Sequence, residues 1–71
     1  MLRTTDAAYT RMLEEKANLQ KKVEALAEFI KKARHGEIAN IELAEIHLLE
    51  EQCFYMNGYL RILNIRISRV K

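Results

Sequence analysis

The stretch LEEQCFYMNGYLRILNIRISRVK, residues 49–71, decides the fold because it carries more apolar side chains than one helix face can hold. Apolar residues at alternating spacings of three and four are typical of a helix that packs along one stripe. One such stripe runs through this stretch and begins just before it, at Ile46, Leu49, Cys53, Met56, Leu60, Leu63, Ile67 and Val70. A second stripe contains Ile41, Leu48, Tyr55, Tyr59 and Ile62, and Phe54 and Ile65 add apolar area. The pattern therefore predicts a helix with more than one neighbour.

An earlier segment supplies the first neighbour. Its own stripe consists of Tyr9, Met12, Leu19, Val23, Leu26, Ile30 and Ala33, with Lys16 in the same register. Gly36, in ARHGEIAN (residues 33–40), is predicted to end this helix in a left-handed conformation, and Asn40 to cap the next one, with an earlier start at Glu37 as the alternative. Because the connection is short, the two helices should fold back antiparallel. We predict one all-α domain spanning residues 1–71, with helix one at about 5–34, a turn at about 35–40 and helix two at about 41–70.

Composition narrows the class of protein. The chain has 71 residues, no proline and a single cysteine, Cys53, so an intramolecular disulfide is excluded. No apolar run approaches the roughly 20 residues of a membrane span, and the N-terminal ten residues lack a signal-peptide core. These features predict a cytoplasmic protein. A domain this small usually needs a partner or extended helix packing for stability.

The second stripe predicts self-association. Burying a side chain such as Leu or Phe contributes ~1.5–3 kcal/mol, so leaving the whole stripe in water would be costly. We expect a homo-oligomeric helical bundle whose interface contains Ile41, Leu48, Tyr55 and Ile62. Gly58 lies in the middle of helix two, where it would allow close approach of another helix or, alternatively, of a ligand between Tyr55 and Arg61.

Catalytic and metal-binding patterns are weak. His47 is followed by Glu50 and Glu51, but a third metal ligand is missing, so a solvated acidic face is the better interpretation. Cys53 falls within the apolar stripe, as a small buried residue would. No phosphate-binding loop or dinucleotide glycine motif occurs. We therefore expect no enzymatic activity, no metal and no cofactor.

Charge is distributed unevenly along helix two. Residues 37–52 contain five glutamates and no Lys or Arg, whereas residues 53–71 contain four basic residues and no acid. In an antiparallel hairpin the basic end lies beside the start of helix one. Arginine binds phosphate bidentately and aromatic rings stack on bases, but the same cations also stabilise a helix C-terminus. As a phosphate site the end would comprise Arg61, Arg66, Arg69, Lys71, Arg3 and Arg11, with Tyr59 and Tyr9 for base stacking.

The two helices resemble a known group of sequences. YTRMLEEKANLQKKVEALAEFI (residues 9–30) and LLEEQCFYMNGYLRILNIRI (residues 48–67) are similar to short, mostly uncharacterised proteins of tailed bacteriophages, including a small crAss-like phage protein family. The turn ARHGEIAN departs from that group, in which the connection is often acidic and contains serine. The matching positions are Glu15, Lys16, Leu19, Lys22, Leu26, Phe29, Ile30, Glu51, Gln52, Met56, Tyr59, Ile62, Leu63, Arg66 and Ile67.

The resemblance implies a phage protein that acts on the bacterial host, in the host cytoplasm. Combined with the basic end, it predicts a counter-defence protein that sequesters a nucleotide second messenger between the subunits of an oligomer. A second hypothesis is an inhibitor that binds a host defence protein through an apolar helix face, without a small ligand. A third, weaker one is a bundle associated with nucleic acid, for which affinity should grow with polynucleotide length.

Overall fold

The computed structural model describes residues 6–70, which form two α-helices and the turn between them. Helix α1 spans Asp6–Arg34 and helix α2 spans Leu43–Ser68. They run antiparallel and pack along their length as a hairpin of 54 × 15 × 12 Å. The predicted all-α hairpin is confirmed. Arg3 and Lys71, assigned to the basic end, lie outside the described residues.

The two helices pack against each other along one seam. We define the seam as the two apolar stripes, one from each helix, whose residues are spaced alternately by three and four. Every seam residue from Tyr9 to Ala33 in α1, and from Ile46 to Val70 in α2, is buried or half-buried. Leu63 is fully buried, and Val23, Ala33 and Ile46 are nearly so. The rest of the seam is only half-covered because a single partner helix cannot enclose a stripe from both sides.

Two cross-helix contacts fix the register, one on each flank of the seam. On the first, the Tyr59 hydroxyl donates to Glu15 Oε2. On the second, Arg34 Nε and Nη2 donate to the two carboxylate oxygens of Glu50 at 2.8 and 2.7 Å. We call these sides the tyrosine flank and the ion-pair flank. Together they place equivalent positions of the two helices opposite one another on either side of the seam, as in an antiparallel coiled coil.

The turn begins with a Schellman motif. Gly36 has φ 76°, its N–H donates to the Ala33 carbonyl at 3.1 Å, and the Glu37 N–H donates to the Lys32 carbonyl at 2.9 Å. These bonds satisfy carbonyl groups that the end of α1 would leave unpaired. The predicted role of Gly36 is confirmed.

The prediction that Asn40 caps the second helix is wrong. Glu42 occupies the N-cap position, with extended backbone and no side-chain cap hydrogen bond, so α2 begins at Leu43. Asn40 instead has φ 59°. Asparagine tolerates this left-handed conformation better than most residues, and here it redirects the chain into α2.

The ion pair on its flank predicts an acid-sensitive contribution to stability. The hydrogen bonds from Arg34 lower the pKa of Glu50, helped by the charges of Arg34 and His47. A carboxylate with a lowered folded-state pKa stabilises the fold above its unfolded pKa, and that contribution disappears as the pH falls through the folded-state pKa. We expect Glu50→Gln to reduce the melting temperature slightly at pH 7. On acidification, the melting temperature of this variant should fall less than that of the natural protein. Thermal melts between pH 7 and pH 2, with Glu28→Gln as the matched control, check this; equal acid sensitivity of Glu50→Gln and the natural chain would contradict it.

Candidate functional site

The candidate site lies at the open end of the hairpin, where the first turns of α1 meet the last turns of α2. Its best-defined element is the contact between Tyr59 and Glu15. The hydrogen bond to the Glu15 carboxylate raises the pKa of Tyr59, as do burial and the charge of Glu15, whereas the nearby charge of Arg66 lowers it. Arg66 is therefore within electrostatic range of the Tyr59 hydroxyl. Tyr59 remains partly exposed, with its hydroxyl tethered.

Two arginines, Arg66 and Arg11, lie on the tyrosine flank near Tyr59, and Arg69 lies next to them. Arg66 follows Tyr59 by seven residues, which is two helical turns and therefore the same face of α2. Arg69 follows Arg66 by three and is its neighbour on the helix surface. Arg11 precedes Glu15 by four and occupies the same face of α1. The register thus brings Arg11, Arg66 and Arg69 to the same open end of the hairpin.

These arginines have no carboxylate partner within the part of the chain that the structure describes. The ion pair there is Arg34–Glu50, and His35 Nδ1 lies 3.8 Å from Glu37 Oε2, a contact that is an ion pair only when the imidazole is protonated; both are near the turn. Arg11, Arg66 and Arg69 are exposed. Unpaired guanidinium groups on one face produce a positive potential that attracts anions.

Other predicted site residues are placed differently. Arg61 follows Tyr59 by two residues, which is roughly 200° around the helix axis, so it lies away from the tyrosine flank. Tyr9 is half-buried at the start of the seam, whereas Tyr59 is exposed and lies on the flank next to the seam. Within one hairpin, Arg61 and Tyr59 therefore do not face the same space.

The acidic half of α2 shows a shallow surface depression of about 540 Å³, lined by Ala44, His47, Leu48, Glu50 and Glu51. Among residues 6–70 no group of His, Cys, Asp and Glu side chains has the arrangement of a metal site. Neither α1 nor α2 combines the length and hydropathy that a membrane-crossing helix requires.

Sequence reasoning missed the Glu15–Tyr59 contact. Both residues occur in the spacing quoted above, but the sequence analysis assigned neither of them to a flank. A seven-residue repeat counted outward from the seam would have shown it: Glu15 immediately precedes the seam residue Lys16, and Tyr59 immediately precedes Leu60. Such positions lie opposite each other in antiparallel pairs.

Fold and site together define a small α-helical hairpin protein with an arginine-rich open end. The Sequestin family model matches residues 6–69, nearly the whole chain. The chain therefore belongs to the Sequestin family, whose name suggests a sequestering function. No curated protein and no solved structure matches it.

Proposed function

We propose that this protein is a phage counter-defence protein that sequesters a nucleotide second messenger at basic sites between subunits of a helical oligomer. The observation that carries the proposal is the gathering of Arg11, Arg66 and Arg69, without carboxylate partners among the described residues, beside a tethered Tyr59. Membership of a family named for sequestration supports a binding role.

The chemistry of the site suits a phosphorylated, base-containing ligand. Each guanidinium group presents a planar fork of N–H donors that matches two phosphate oxygens. Tyr59 offers an aromatic ring for a base, and stacking of this kind contributes about 1–3 kcal/mol per base. Because Glu15 holds the hydroxyl, less side-chain freedom is lost when a ligand binds. Sequestration needs only this binding, so no catalytic group is proposed.

Reversing the charge of Arg66 tests the site. We expect Arg66→Glu to weaken nucleotide binding about 30-fold or more, because it removes one charge-assisted phosphate contact and adds a repulsive carboxylate. The measurement is isothermal titration calorimetry of the full chain, at low salt, with a cyclic dinucleotide and a cyclic mononucleotide as separate probes. Affinity should also fall as salt increases, although contacts shielded from solvent will be less sensitive.

The matched control is Lys31→Glu, which makes the same charge change on an exposed residue in the last turn of α1, at the opposite end of the hairpin. Its binding should remain within about twofold of the natural protein, as expected for a distant surface charge in moderate salt. Equal losses in both variants would show that only net charge matters and would remove Arg66 from the site. If the natural chain binds neither probe, native mass spectrometry of protein purified from phage-infected cells provides the broader test, and the absence of any nucleotide-sized mass would overturn the proposal.

A second candidate function rests on the outer face of α2. Phe54 is 72% exposed and Tyr55 is 66% exposed, and their rings make an edge-to-face contact at 5.5 Å. An exposed aromatic pair of this kind is typical of a protein-binding surface. A host defence protein bound there would be retained in high salt and would not be displaced by nucleotides.

A further inference from the structure

The outer face of α2 carries a second regular stripe, which we call the outer stripe. It begins in the turn before α2 and keeps alternating spacings of three and four for its whole length. Leu48, Tyr55, Ile62 and Ile65 in this stripe are all exposed. The outer face of α1 is different, because its exposed residues there are mostly Lys, Glu and Asn. The outer stripe consists of Ile41, Ala44, Leu48, Glu51, Tyr55, Gly58, Ile62, Ile65 and Arg69.

Gly58 lies near the centre of the outer stripe. A Cβ atom built at Gly58 would meet nothing within 4 Å, so packing within the hairpin does not require a glycine there. Glycine in the middle of a helix reduces helix stability relative to alanine. The absence of a side chain would be useful in a contact with another molecule, because a large side chain of that molecule could pack directly against the backbone at Gly58.

Charge along α2 identifies what that other molecule is. The N-terminal half presents Glu45 and Glu51, since Glu50 is already paired with Arg34, and the C-terminal half presents Arg61, Arg66 and Arg69. A second copy of α2 running antiparallel places each acidic half beside a basic half. A parallel copy would place like charges together, at a cost to association. The surface is thus complementary to itself under a two-fold rotation, the commonest symmetry of protein dimers.

We propose that two copies of this chain associate through their outer stripes, with the α2 helices antiparallel. In this dimer the two outer stripes pair with each other in the same alternating way as the two seam stripes pair within the hairpin. Tyr55 of one copy then lies over Gly58 of the second copy. The same register places Leu48 against the second copy's Ile65, and Glu51 at the level of its Ile62 and Arg61. The large-against-small pairing of Tyr55 with Gly58 occurs twice, once on each side of the two-fold axis.

The arrangement also creates a site shared by the two copies. The tyrosine flanks of both hairpins lie on the same side of the dimer, and the two Tyr59 positions lie at nearly the same level, one on either side of the two-fold axis. An Arg66 lies to either side of them, with the two Arg66 residues separated by roughly 28 Å along the helices at 1.5 Å per residue. Arg61 contacts the second copy instead of the ligand. The proposed dimer does not require a ligand, whereas the use of this shared site for binding rests on the proposed function.

Exchanging two charges tests the interface. Glu51→Arg brings an arginine to the second copy's Arg61, and Arg61→Glu brings two carboxylates together; each occurs twice per dimer. We expect each single variant to raise the dimer dissociation constant by about tenfold or more, and the double variant to restore it. Glu51 and Arg61 are ten residues apart on one helix, so they do not contact within a chain, and restoration requires two chains. Analytical ultracentrifugation of the full chain measures the constant, with the natural dimer expected at twice the 8.4 kDa chain mass.

Two further variants complete the test. Glu14→Arg makes the same charge change on the exposed face of α1 and should leave the dimer unchanged. Gly58→Leu finds open space within the hairpin, so helicity by circular dichroism should be retained while the dimer is lost. A monomeric natural chain at 100 micromolar (roughly the upper end of useful dimer affinities), or a double variant no better than the singles, would overturn the proposal. Neither result depends on nucleotide binding, and loss of binding in Arg66→Glu with an intact dimer would concern the ligand site alone.

Discussion

Replacing Leu63 with alanine is expected to lower the free energy of unfolding by about 2–5 kcal/mol, the largest effect we anticipate for a single substitution. Leu63 is fully buried, while most of the seam is only half-covered. Truncation removes apolar contacts and leaves a cavity that two rigid helices can close only in part. The core of a domain this small rarely supplies more than about 3–5 kcal/mol of stability, so the variant should be partly unfolded at moderate temperature.

Denaturation with urea, followed by circular dichroism at a fixed protein concentration, measures this loss; the concentration is fixed because association contributes to apparent stability. Leu13→Ala is the matched control. Leu13 lies on α1 outside the seam and is 39% exposed, so the same truncation there should cost less than about 1.5 kcal/mol. Comparable losses at Leu63 and Leu13 would show that the seam is not the core of the protein.

The second large effect is a stabilisation, expected for Lys16→Leu. Lys16 occupies a seam position, is half-buried, and forms no ion pair within the described residues. The register places it at the level of Leu63. A lysine at such a position limits the apolar area that the helices can share and favours a single register at a cost in stability. Replacing it with leucine should raise the free energy of unfolding by about 1–2 kcal/mol, part of what full burial of leucine provides.

Thermal melting measures this gain, with an expected increase of about 4–8 °C for each kcal/mol in a domain of this size. Lys21→Leu is the control, because Lys21 lies on the exposed face of α1 and should change stability by about 0.5 kcal/mol or less. A decrease in melting temperature for Lys16→Leu would mean that the ammonium group has a stabilising role at the seam. The two predictions share one layer of the hairpin, so a combined Lys16→Leu and Leu63→Ala variant should deviate from additivity.

Most of the fold could be predicted because its determinants are local and periodic. The 3-4 spacing of the two seam stripes identifies the buried face of each helix, and Gly36 marks the end of the first. The start of α2 could not be predicted in the same way. Asn40 is both a good N-cap and a residue that tolerates positive φ, and its sequence neighbours do not decide between these roles.

The sequence predicted which arginines lie near the open end of the hairpin, but it did not predict how they are arranged around it. Antiparallel topology alone brings the end of α2 to the start of α1, so arginines from both were expected there. The angle between Arg61 and Arg66 follows from helical spacing, but which of them shares a flank with residues of α1 depends on which face of α2 meets α1. That relationship is a property of the packed pair of helices, and the contact between Tyr59 and Glu15 makes it visible.

By itself, the sequence determined the class of fold, the residues of the seam and the presence of a second apolar stripe, because side-chain spacing and a glycine at the helix end act through the local chain. Only the tertiary structure decided which flank residues of the two helices meet. It placed Arg34 on Glu50 and Tyr59 on Glu15, and so put Arg66 on the same flank of the hairpin as Arg11 of α1, with Arg61 away from it. The reason is geometric: residues far apart in sequence become neighbours only when the rotation and register of one helix against the other are fixed, and the many side chains of the seam fix them jointly.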